Sequence, residues 1–238
     1  MKNIIYFLLI FIFLTASGCH SITRVKPEID TNINKVILSF DDGPNADGDT
    51  TARLLDVLKK YNIRAMFALI GVNAEKNPEL VRRIYEEGHI IINHGYSDIF
   101  AHKMNKEEFR NNLSLGETAI AAALDKTPDY RLYRPQGGYY YQWQEDMWRA
   151  QGWTMISGNI RAWDAVKTES EKQNVINKII KKTGKKDGGI ILLHDAKNSW
   201  FRMETALASH PAGTYNRRWI PDIVEKIIIT LLEKGYQL

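Results

Sequence analysis

Short apolar runs alternate along most of the chain with longer stretches in which apolar residues recur every three or four positions. The first kind predicts strands, the second amphipathic helices. Strands are expected at residues 36–40, 65–70, 90–92, 132–133, 153–156 and 190–193, with a stub at 236–238. Helices are expected between them. Leu54, Leu55, Leu58 and Tyr61 share one face of 51–61. Asn77-Pro78 opens a helix that ends at Gly88. Asn105 with Glu108, and Thr168 with Glu171, have capping-box spacing and open helices over 105–124 and 168–183, the second stopped by Gly184. Residues 142–150 read as helical. A last helix begins at Pro221, turns Ile223, Val224, Ile227, Ile228 and Leu231 inward, and stops at Gly235.

Seven strands alternating with helices predict a parallel α/β architecture. No glycine-rich loop follows the first strand, so a closed or nearly closed βα barrel fits better than a dinucleotide-binding sheet. The conspicuous polar residues fall just after strands: Asp41, Asp42, His94, Arg134, Asn159 and His194. In such a barrel the C-terminal strand ends share one mouth, so these residues should converge there.

The ends change the picture. Lys2 precedes an unbroken apolar run over 4–14, too short to span a bilayer and of signal-peptide length. Leu14-Thr15-Ala16-Ser17-Gly18-Cys19 resembles a bacterial lipoprotein processing site, which makes Cys19 the expected lipidated residue. The expected organisation is a signal at 1–18, a tether at 19–34 and one domain at 35–238. The protein is then an envelope protein held to the membrane through its lipid, facing outside the cytoplasm. Cys19 is the single cysteine, which excludes an internal disulfide and a cysteine-based zinc cluster. The net charge of +4 gives no argument for nucleic acid, and a monomer is expected. Lys181, Lys182, Lys185 and Lys186 gather near a helix C-terminus, where cations are favoured in any case.

Ser39-Phe40-Asp41-Asp42-Gly43-Pro44 carries two adjacent carboxylates into a turn. It resembles the first motif of the polysaccharide deacetylases, the NodB-like members of carbohydrate esterase family 4. The resemblance implies a distorted (β/α)7 barrel, with Asp41 as catalytic base and Asp42 as metal ligand. Asn93-His94 resembles the second motif, in which a further His four residues on completes the metal site. That place holds Asp98, so the implied ligands are Asp42, His94 and Asp98, with His102 a nearby substitute. The implied cofactor is one divalent ion, Zn²⁺ in the family. A set with two carboxylates is harder and brings Co²⁺, Mn²⁺ and Fe²⁺ into contention.

Leu132-Tyr133-Arg134-Pro135-Gln136-Gly137 resembles the third motif. It implies that Arg134 orients Asp41 and keeps it ionised, and that the Gly137 N–H faces the oxyanion. The fourth motif, Asp-x-x-Asp-Trp, corresponds to Asn159-Ile160-Arg161-Ala162-Trp163. Both acids are missing; Trp163 remains as groove wall or core, and Asp164 is one residue on. Ile191-Leu192-Leu193-His194-Asp195 resembles the fifth, with Leu192 lining the acetyl pocket and His194 as general acid. The stretch from Lys197 to Arg218 does not match. The expected activity is metal-dependent removal of acetyl groups from acetylated polysaccharide, foremost N-acetylglucosamine units. The rival is a glycan-binding protein on a decayed deacetylase scaffold, favoured by the missing acids and the Asp98 exchange.

Overall fold

The computed structural model describes residues 22–24, 34–129, 131–196 and 217–238. In chain order the elements are β1 (Ile22–Arg24), β2 (Lys35–Asp41), α1 (Thr50–Lys60), β3 (Met66–Leu69), α2 (Gly71–Lys76), α3 (Pro78–Glu86), β4 (Ile90–Asn93), α4 (Lys106–Leu124), β5 (Leu132–Tyr133), β6 (Tyr139–Tyr141), α5 (Gln142–Ala150), β7 (Thr154–Met155), β8 (Ile160–Arg161), α6 (Lys172–Lys186), β9 (Gly188–His194) and α7 (Ile220–Glu233).

Seven strands pair in parallel in the order β7-β5-β4-β3-β2-β9-β8. The sheet curls into a (β/α)7 barrel left open between β7 and β8, which do not pair with each other. β2 and β9 form its spine, with Lys35 to Asp41 registered against Gly188 to His194. Their interior residues are buried on both faces, as all-parallel strands require. Phe40, Phe67, Leu69, Ile191 and Leu193 pack with the inward faces of α1, α6 and α7 in the main core. A second cluster joins Phe109 and Leu113 of α4 to Tyr133, Trp148 and Trp153. Each such side chain is worth roughly 1.5–3 kcal/mol in burial.

Three expectations are corrected. The helix opened by Thr168 and Glu171 runs through Gly184 to Lys186 and ends at Asp187 in the left-handed conformation. Gly184 is exposed and costs an isolated turn only about 1 kcal/mol, which the buried Val175, Ile176 and Ile179 outweigh. The seventh strand is Ile160–Arg161; the C-terminal stub makes only a bridge between Lys35 and Gln237. α2 was not expected, being too short to show a period. Within the expected tether, Ile22–Arg24 pairs antiparallel with Tyr139–Tyr141. Among the described residues no helix is long and apolar enough to cross a membrane. Cys19 lies outside the described residues.

Candidate active site

Five strand ends deliver side chains to one mouth. Asp41 and His194 are register partners at the ends of β2 and β9. His94 follows β4, Arg134 follows β5 and Asp164 follows β8. Between them lies a cavity of about 210 Å³ whose lining includes Asp41, Asp42, Arg134, Asp164 and His194.

The two adjacent carboxylates do not diverge as they would in a continuing strand. β2 ends at Asp41, and Asp42 takes a left-handed backbone, φ 75°. The bend brings both acids to one imidazole: His94 Nε2 is 3.5 Å from Asp42 Oδ1 and 3.9 Å from Asp41 Oδ2. A non-glycine residue there costs on the order of 1–3 kcal/mol, and local bonds hold it. Asn73 Nδ2 donates to the Asp42 carbonyl at 2.8 Å, and the Ile70 N–H donates to Gly43 O at 2.9 Å.

Arg134 Nη1 donates to Asp41 Oδ1 and, at 2.8 Å, to Ser39 Oγ, while Nε donates to Ile156 O at 2.9 Å. Ser39 and Asp41 are buried, and Ile156 is partly buried. Burial alone would raise the Asp41 carboxyl, but Arg134, His94 and His194 outweigh it and hold it below the ordinary range. Asp41 is therefore ionised at neutral pH.

His94 Nδ1 lies 2.7 Å from the Arg134 carbonyl, so this nitrogen carries a hydrogen and Nε2 faces the carboxylates. Burial lowers the ring's pKa, and the two carboxylates more than reverse that. Either a proton or a divalent ion on Nε2 satisfies the carboxylates, and the Asp42–His94 pair has the right donors for a divalent ion. Asp98 is buried, and among the described residues no three His, Cys, Asp or Glu side chains are grouped to hold a metal. The His102 ring packs between Phe100 and Tyr139, 5.8 and 5.9 Å between centroids.

Asp164 occupies the role left open by the fourth motif. Its Oδ1 is 3.1 Å from His194 Nδ1, and its Oδ2 accepts from the His194 backbone N–H at 2.9 Å. The shift by one residue is made in the backbone: Ala162 is buried in the core, Trp163 is left-handed at φ 63°, and Asp164 then points inward. Burial lowers the His194 pKa, but Asp164, Asp42 and Asp41 overcome this and push it up to about 9. The ring is therefore protonated at neutral pH.

Trp163 is 51 % exposed and lines the cavity, so it is groove wall rather than core. Leu192 and Gly137 line the same cavity. Gly137 has φ 74°, and a Cβ there would lie 2.7 Å from the Phe100 ring, so glycine is needed on both counts.

Three residues escaped sequence reasoning. Arg217 is buried, and its Nη1 and Nη2 donate to Asp164 O at 3.0 Å and Oδ2 at 3.1 Å. Asp195 is buried below the first-motif turn, accepting from Thr51 Oγ1 at 2.5 Å. A Cβ on Gly43 would meet the Asp195 carboxylate at 2.6 Å. Adjacency to His194 was the signal available for Asp195; Arg217 and Thr51 had none.

The family profile described as polysaccharide deacetylase matches residues 28–156, more than half of the chain. The chain belongs to the polysaccharide deacetylase family. A peptidoglycan-N-acetylglucosamine deacetylase of Bacillus cereus is 33% identical over 206 residues, covering 86% of this chain and 66% of that protein. The chain thus spans just under two thirds of that relative. A crystal structure of a peptidoglycan N-acetylglucosamine deacetylase superposes with a TM-score of 0.69 at 30% identity, covering 87% of this chain and 85% of the other. A family pseudoenzyme from Bacillus anthracis shares the fold, with a TM-score of 0.67 at 18% identity over 87% of this chain and 63% of that one.

Proposed function

We propose that this polysaccharide deacetylase hydrolyses acetyl groups from acetylated polysaccharide, with N-acetylglucosamine units of cell-wall glycan as the favoured substrate. The relatives that bear that substrate in their names support the choice. The observation that carries the reading is the pairing of two opposed devices across one cavity. Asp41 is held ionised by Arg134, and His194 is held protonated by Asp164.

In this reading Asp41 removes a proton from the attacking water. The water oxygen bonds to the acetyl carbon, and the developing oxyanion faces the Gly137 N–H. His194 Nε2 gives its proton to the departing nitrogen as the C–N bond breaks, leaving acetate and a free amine. Leu192 packs against the acetyl methyl, and Trp163 offers a flat apolar wall to a sugar ring. Asp42 and His94 would hold the divalent cation, Zn²⁺ by family preference, whose Lewis acidity polarises the carbonyl and acidifies water when it is bound. Lipidation at Cys19 would place this chemistry at the outer face of the membrane, a proposal that rests on the sequence at residues 2–19.

The second reading, glycan binding without hydrolysis, draws on the missing third metal donor among the described residues. Acetate release from a panel of acetylated glycans by metal-reconstituted protein separates the two. Release from N-acetylglucosamine oligomers supports the enzyme. Binding of the same oligomers with no acetate supports the binder.

A further inference from the structure

We infer that Arg217 is a positioning residue for the general acid: it fixes Asp164, and through Asp164 it fixes the His194 ring that protonates the leaving group. The inference rests on the deacetylase reading above.

The geometry is a fork on a single residue. Arg217 Nη1 donates to the Asp164 carbonyl at 3.0 Å and Nη2 to its Oδ2 at 3.1 Å. One guanidinium therefore fixes both the backbone of Asp164, just past the left-handed Trp163, and the rotation of its carboxylate. With Oδ2 held by Arg217 and by the His194 N–H, Oδ1 faces His194 Nδ1. That bond keeps the hydrogen on Nδ1 and leaves Nε2 as the nitrogen that delivers a proton to the cavity. Arg217 is fully enclosed, with its guanidinium 5.4 Å from the Trp219 ring centre.

Charge gives the second reason. Asp164 has no solvent exposure. While His194 is protonated, the two neutralise each other. Once His194 has given its proton away, Asp164 faces a neutral ring, and a buried carboxylate with no cation is costly. Arg217 does not exchange protons in the cycle, so it supplies a permanent counter-charge. It also faces the fields of Asp42 and Asp195, and His194 faces those of Asp41 and Asp42. Each catalytic device thus has its own arginine: Arg134 for the base and Arg217 for the acid.

The test uses leaving groups. An amide nitrogen must be protonated to depart, whereas 4-nitrophenolate departs without a proton. Acetate release from an N-acetylglucosamine pentamer and hydrolysis of 4-nitrophenyl acetate are measured with the full-length, metal-loaded protein. Arg217→Met should lower kcat on the pentamer about 10²-fold with KM little changed, and lower the aryl ester rate by no more than about 3-fold. Arg217→Lys should recover part of the pentamer rate. In an Asp164→Asn background, Arg217→Met should cost little more, because the path already ends at Asp164. Equal losses on both substrates, a fully additive loss in the Asp164→Asn background, or an unchanged Arg217→Met enzyme each overturns the inference. If Arg217→Met does not fold, the same comparison of substrates with Arg217→Lys decides it. A wild-type protein that releases acetate from neither substrate overturns the deacetylase reading and this inference together.

Discussion

Asp164 and His194 form a side-chain pair at 3.1 Å although the acid stands one residue beyond its place in the family motif. The left-handed Trp163 absorbs the extra residue, so the same carboxylate-to-imidazole geometry is reached from a different register. Asp164→Asn should lower the rate of N-acetylglucosamine deacetylation about 10²-fold while the protein stays folded. Adding Ala162→Asp should not rescue it. Ala162 packs in the main core, so an acid there is buried without a partner and lowers the melting temperature. Rescue by Ala162→Asp would show that the motif's usual register is accessible.

The metal site yields a second expectation. Asp42→Asn or His94→Ala should abolish divalent-ion binding, whereas Asp98→Ala should change it little, because among the described residues no third donor is grouped with that pair. Asp98→His should tighten Zn²⁺ binding at least about 10-fold, since the imidazole reaches farther and adds a softer third donor. Titration calorimetry of the four variants checks this. Loss of binding in Asp98→Ala would make Asp98 a ligand after all.

Much of this was legible from sequence because the chemistry sits at the ends of strongly apolar strands. Asp41, His94, Arg134 and His194 each follow a run whose burial leaves few alternatives for the polar residue at its end. Asp164 was legible only as a neighbour, because a one-residue shift is a backbone event that composition does not record. Arg217 was not legible at all: it precedes α7 in a stretch without periodicity, and its partner is 53 residues away. β6 and β8 are two or three residues long, too short to show a period, and β1 is a strand only because β6 offers an edge.

The turn after β2 gives a third expectation. Gly43→Ala should destabilise the protein by roughly 1–3 kcal/mol, because its Cβ would stand 2.6 Å from the buried Asp195 carboxylate. Burial, ahead of the fields of Asp42 and Asp41, pushes that carboxyl up to about 7. Gly43→Ala combined with Asp195→Ala should recover part of the loss, since the clash goes while the Thr51 bond is given up. Urea unfolding of the three variants measures it, and additive losses would show that the two residues do not press on each other.

His89 sets an acid limit on stability. Its Nδ1 accepts from the Ala65 N–H at 3.1 Å, which requires a neutral ring, and burial lowers its pKa below the ordinary 6.5. The unfolded chain therefore binds a proton that the folded one refuses. This contribution is complete above about pH 6.5 and falls as the pH drops from there toward the folded-state pKa. The urea midpoint should decline between pH 7.5 and 5.5 in wild type, and decline less in His89→Gln. Parallel declines would remove His89 as the cause.

The central claim is that Asp41 is the base of a working hydrolase and that its neighbour holds the cation. Acetate and free amine are counted together on an N-acetylglucosamine pentamer, for wild type and Asp41→Asn at equal metal content. Wild type should release the two in equal amounts, and Asp41→Asn should lose most turnover while keeping its metal and its affinity for the glycan. Glycan binding by wild type with no acetate released, or metal lost on changing Asp41 to Asn, would contradict the account.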